Sequence, residues 1–115
     1  MDSLTYEKLV PRLVEVLPEI PIDPDLVADN LAYFVFNDLM RLVNTMVEAG
    51  GDNPLLAKIF SFIEEEAQTK DVQVQDVLQD ALYELAVAPT DKARMYMGPK
   101  TQKAFRKVVA EIYQK

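Results

Sequence analysis

The chain is predicted to be an all-α single domain, and three observations point there. Apolar residues recur at three-four spacing in every long segment. Helix starts are announced by Asp or Asn ahead of Pro, as in Asp23-Pro24 and Asn53-Pro54. No strand-like alternation and no Asn-Gly hairpin signal occurs in the 115 residues. The length suits one core, and a composition half apolar and 27% charged is that of an ordinary globular chain. The order of segments fits about five to six helices. They could form a bundle or a short array of helical hairpins, and periodicity leaves both open.

The first helix is expected over residues 5–17, with Ser3 or Thr5 as cap and Tyr6, Leu9, Val10, Leu13, Val16 and Leu17 on its apolar side. Pro11 lies inside it, lacks a donor and crowds the carbonyl of Glu7, which predicts a kink or a restart. Pro18 and Pro21 make residues 18–23 a stiff, extended connector. The helical core, residues 24–113, opens with Asp23 as cap and Pro24 at the first helical position. Leu31, Phe34, Val35, Leu39, Leu42, Val43 and Met46 form one broad stripe, and Ala32, Tyr33, Phe36, Met40 and Val47 widen it. A segment apolar on most of its circumference is the central helix. Gly50-Gly51 closes it. Residues 25–48 would measure roughly 36 Å if straight, so a break near Asp29-Asn30 is expected.

The stretch from Asn53 to Val87 organises the rest. Leu55, Leu56, Ile59, Phe60, Ile63 and Ala67 form one stripe, with Phe62 widening it. After the polar break Thr69-Lys70-Asp71, Asp71 caps a second helix with Val74, Val77, Leu78, Ala81, Leu82 and Leu85 on one side. Two amphipathic helices joined this closely fold back on each other, antiparallel, to bury their stripes. Ala88 to Asp91 is a turn whose Thr90 caps a short helix through Met95, Tyr96 and Met97, which Gly98 ends. Pro99 opens the last helix, with Phe105, Val108, Val109 and Ile112 on one side and Lys100, Lys103, Arg106 and Lys107 on the other.

Composition removes several function classes. Cysteine and histidine are absent, so disulfides, thiolate chemistry, His-dependent triads and Cys/His zinc sites are out of reach. Three glycines cannot write a glycine-rich phosphate loop. No apolar run approaches the ~18 residues of a membrane span, and the first ten residues lack the pattern of a signal peptide. A cytoplasmic protein with no membrane partner is expected.

The net charge of −7 is unevenly divided. Residues 1–91 hold eighteen acids and five bases, whereas residues 92–115 hold one acid and seven bases. Either the basic tail neutralises its own acidic domain, or one of the two patches meets a partner of opposite charge. The dense carboxylate supply is Glu64, Glu65 and Glu66, followed by Asp71, Asp76, Asp80 and Glu84. Asp76, Asp80 and Glu84 recur every four residues and share one helix face. Paired carboxylates can bind a divalent cation or exchange protons. Neither a Glu-x-x-His motif nor a calcium-loop spacing accompanies them, and acids on the polar side of an amphipathic helix form a solvated surface. No catalytic, cofactor or metal site is therefore expected, and no enzymatic activity. The C-terminal bases could neutralise phosphates beside Tyr96, Phe105 and Tyr113. Phe105 belongs to the apolar stripe, however, and the acidic body repels a duplex, so nucleic acid is not an expected partner. Met95, Tyr96 and Met97 point in three directions from a helix, so part of the trio is exposed or covered by a partner.

Four motifs occur in order: Phe36 to Leu39, IFSFIEEEA from Ile59 to Ala67, DVQVQDVLQDALYEL from Asp71 to Leu85, and RMYMGPKTQKAF from Arg94 to Phe105. Together they resemble a family of small, largely uncharacterised bacterial all-α proteins. The likeness covers roughly residues 31–110, and the order of the motifs carries it more than any one of them. The family's recurrent positions fall here on Phe62, Glu64, Glu65, Val74, Gln75, Leu82, Glu84, Leu85, Gly98, Pro99 and Lys100. Asp76 stands where relatives carry Asn, and Ala67 where they carry Met. Glu64 and Gln75 adjoin the helix break, where they could satisfy open backbone groups or the basic tail. Members resemble immunity proteins of bacterial toxin systems, which implies a non-enzymatic inhibitor that covers a basic toxin with an acidic helical face. The expected partner-binding residues are Glu64, Glu65, Asp76, Asp80 and Glu84, with Met95, Tyr96 and Met97. The alternative is a self-associating regulatory or scaffolding module, a homodimer with the Met95–Met97 region between protomers.

Overall fold

Side-chain caps set the helix starts at Pro24, Pro54 and Val72 in the computed structural model, which describes residues 4–50, 53–87 and 92–113. The helices are α1 (Tyr6–Val16), α2 (Pro24–Ala28), α3 (Ala32–Ala49), α4 (Pro54–Ala67), α5 (Val72–Ala86) and α6 (Pro99–Tyr113), with a 3₁₀ turn over Lys92–Tyr96. Asp23 accepts from the amide of Asp25, Asn53 from that of Leu55, and Asp71 from those of Gln73 and Val74. Each bond satisfies a donor that the first helical turn leaves open. The expected cap Ser3, the second glycine Gly51 and the turn Ala88–Asp91 with Thr90 lie outside the described residues.

Asp71 does a second task. Thr5 makes no side-chain cap at α1; instead the amide of Tyr6 donates to Asp71 Oδ2 at 3.0 Å. Nearby, the hydroxyl of the buried Thr69 donates to the carbonyl of Leu4. The start of α1 is thus tied to the break between α4 and α5. α1 runs through Pro11 as one helix rather than restarting. The connector after it opens with a turn, in which the amide of Ile20 donates to Leu17, and buries Ile20. It is therefore less extended than its prolines suggest.

The break at Asp29-Asn30 is present: Asn30 has φ +52°, a left-handed conformation that Asn tolerates, and it separates α2 from α3. Gly50, at φ +79°, closes α3. α3 packs against α1, α2, α5 and the 3₁₀ turn, which makes it the central helix. Its buried side is Ala32, Val35, Phe36, Leu39, Met40, Val43 and Val47. Phe34, expected in the stripe, is 60% exposed. A helix apolar nearly all round does not reveal in its sequence which edge neighbours will cover.

α4 and α5 pack on each other as the Asn53–Val87 pattern requires, but α5 makes its larger interfaces with α3 and α6. All of these helices share one core. The extents of 33 × 30 × 26 Å describe a bundle rather than an elongated array. The radius of gyration, 13.4 Å, matches the value near 13 Å for a compact domain of this length.

Candidate functional site

The outward side of α5 is mixed in character. Asp76 and Asp80 are exposed and Glu84 is half-buried, as the four-residue spacing predicts. Between and beside them stand Val72, Tyr83 and Val87, which are 77%, 51% and 53% exposed. Among the described residues, none of the three acids pairs with a Lys or Arg. Asp76 is held instead by the hydroxyl of Tyr33, which donates to Oδ2 at 2.6 Å. That bond, with the charge of Asp76 behind it, raises the Tyr33 pKa to about 12. Tyr6 stands beside Tyr33, ring centroids 6.4 Å apart. On this face acids without a basic partner among the described residues alternate with exposed apolar groups.

Glu64, Glu65, Met95 and Tyr96 come together elsewhere. They line an open groove of about 620 Å³ between α4 and the 3₁₀ turn, with Phe60 and Gln68. Here the acids have different duties. Glu65 is exposed and reaches Arg12 of α1 at 3.8 Å. Glu64 reaches across to α6: Oε2 accepts from the amide of Lys100 at 3.1 Å, and Oε1 from the amide and hydroxyl of Thr101 at 2.9 and 2.8 Å. Partial burial pushes the Glu64 pKa up, but the Thr101 and Lys100 donors outweigh it and leave the group below the usual carboxylate range. The Gly98-Pro99-Lys100-Thr101 turn is therefore a seat for Glu64. A Cβ on Gly98 would stand 2.5 Å from Glu64 Cδ. Gln75 likewise satisfies backbone, its amide donating to the carbonyl of Thr69 at 2.7 Å.

The methionine trio divides. Met95 is 80% exposed, Tyr96 stacks on Phe60 at 6.0 Å, and Met97 is buried within the chain's own core. Arg94 lies over the ring of Phe105, 5.1 Å from its centroid, and joins the 3₁₀ turn to α6.

Glu66 departs from the solvated row in which its sequence neighbours suggest it stands. It is fully buried, and neither carboxylate oxygen has a partner. Burial pushes its pKa well above the ordinary range and favours the protonated acid. The available signal was its position three residues after Ile63 and four after Phe62, on the buried stripe rather than beside it.

No group of three His, Cys, Asp or Glu side chains converges as metal ligands among the described residues. No helix among them is long and apolar enough to cross a membrane. The chain matches no curated protein and no solved structure. A family model, however, covers residues 7–114. The helices from α2 on, all of α1 but Tyr6, the α5 face and the Glu64 latch fall within that span, and the chain belongs to the family described as a domain of unknown function, DUF7674.

Proposed function

We propose that this protein acts by binding another protein, as an immunity-type inhibitor that lays the α5 face on a basic partner. One observation carries the reading: Val72, Tyr83 and Val87 are exposed among acids that no base neutralises within the described residues. The acids steer a basic partner and the apolar groups hold it once docked. Many toxin sites that handle nucleic acid are basic, so an acidic cover both speeds docking and blocks substrate.

The test is capture of basic proteins from the source cell on immobilised chain, followed by association rates for whatever is retained. Asp80→Lys combined with Glu84→Lys is expected to lower the association rate about tenfold or more at low salt. An unchanged rate removes the reading. The second reading, a self-associating module, is favoured by the exposure of Met95. Met97 and the Tyr96 ring pack against their own chain, which leaves Met95 the most exposed of the trio.

A further inference from the structure

Beside the acidic strip of α5 runs a basic one. A groove of about 390 Å³ between α5 and α6 has Gln75, Leu78 and Gln79 on one wall and Lys100, Lys103 and Lys107 on the other. None of these lysines pairs with a carboxylate among the described residues. The basic C-terminal helix thus leaves its own acidic domain unneutralised at this place.

The two strips share a spacing along their helices. α6 starts against Glu64, near the end of α4, and α5 starts a few residues beyond that same end. Both helices therefore run the same way along the groove. Asp76 and Lys103 each follow the first residue of their helix by four, and Asp80 and Lys107 by eight. At about 1.5 Å per residue the members of each pair lie equally far from the start of their own helix, roughly 6 and 12 Å. Around α5, at about 100° per residue, Gln79, Val72, Tyr83, Asp76 and Asp80 follow in that order over an arc of about 100°. Lysines lie at one edge, exposed apolar side chains in the middle, and acids at the other edge.

We propose that a second copy of this chain docks on this face about a two-fold axis running along α5. Such an axis exchanges left and right but keeps height. Val72 and Tyr83 then meet their own counterparts, and Asp76 and Asp80 of each copy face Lys103 and Lys107 of the other. An axis across α5 would set acid on acid, so the charges select one arrangement, with the two α5 helices parallel. The inference rests on the α5 face being a docking surface. It adds that a second copy occupies that surface until a basic partner displaces it.

Sedimentation equilibrium of the full chain tests this, from about 10 μM to 1 mM at an ionic strength of about 0.1 M. The wild type is expected to dimerise with rising concentration. Asp80→Lys and Lys107→Glu, both at exposed positions, are each expected to weaken dimerisation at least tenfold. An equimolar mixture of the two variants regains a dimer, because each reversed charge then meets its opposite. Circular dichroism confirms that both variants keep the fold. Wild type of monomer mass throughout, a dimer indifferent to both substitutions, or a mixture no tighter than its components would each overturn the proposal. Lys107→Glu leaves the acidic strip intact. If that variant and the wild type are both monomers and capture a basic partner equally well, only the dimer falls.

Discussion

At the scale of single residues, Glu66 is the most consequential side chain on α4. It occupies a core position, yet it brings two oxygens that nothing in the described structure satisfies. A buried polar group without a partner costs about 1–3 kcal/mol, so Glu66→Leu is expected to raise stability by about that much at neutral pH. The pH dependence has a definite sign. The folded-state pKa lies above the ordinary 4.5, so between the two values the folded chain holds a proton that the unfolded chain has shed. Wild-type stability therefore falls as pH rises from about 4.5 towards the raised value, and stays level beyond it. Glu66→Gln removes that titration. Urea midpoints of the two proteins across this range should diverge with rising pH, and parallel curves would refute the assignment.

At the scale of elements, α6 is a basic helix whose start is held by an acid of α4. Lys100, Lys103, Arg106 and Lys107 make no ion pair among the described residues, whereas Glu64 closes on the open amides of Lys100 and Thr101. The attraction combines hydrogen bonding with the positive end of the helix dipole. Glu64→Ala is expected to cost about 1–2 kcal/mol, as losing a helix cap does, and to speed amide exchange at Lys100 and Thr101 ahead of the rest of the chain. Gly98→Ala should produce the same exchange pattern, because its Cβ and the anchored Glu64 carboxylate claim one space. Protection left intact in both variants would mean that packing alone holds α6. The helix boundary at Gly98-Pro99 was legible in the sequence. The reason for the glycine was not, since it depends on a carboxylate more than thirty residues away.

At the scale of the whole molecule, two carboxylates secure helices at the periphery: Glu64 holds α6 and Asp71 holds the start of α1. The Asp71 pKa is lowered chiefly by the Tyr6 amide. For both acids the sign opposes that of Glu66. Their stabilisation is present above the unfolded values of 4.5 and 3.8, and is lost as pH falls through the lower folded ones. In a Glu66→Gln background the stability profile should therefore be flat near neutrality and fall only on the acid side. Adding Asp71→Asn should make that fall shallower. An acid limb of unchanged steepness would show that Asp71 does not tie α1 down.

The amino-acid sequence by itself determined the all-α class, the caps at Asp23, Asn53 and Asp71, the break at Asn30 and the starts at the prolines. The caps and the proline starts follow from backbone chemistry within one helical turn. The class follows from apolar periodicity along each segment, and the break from the length of the apolar run. Only the tertiary structure divided the acids into three kinds: Glu64 as a latch, Glu66 inside, and Asp76 and Asp80 on an open face. Those roles depend on partners far along the chain, 37 residues apart for Glu64 and Thr101 and 43 for Tyr33 and Asp76. Helical periodicity records which side of a helix is apolar. It does not record which neighbour closes over that side, and that closure determines whether a carboxylate meets water, a backbone amide or the core.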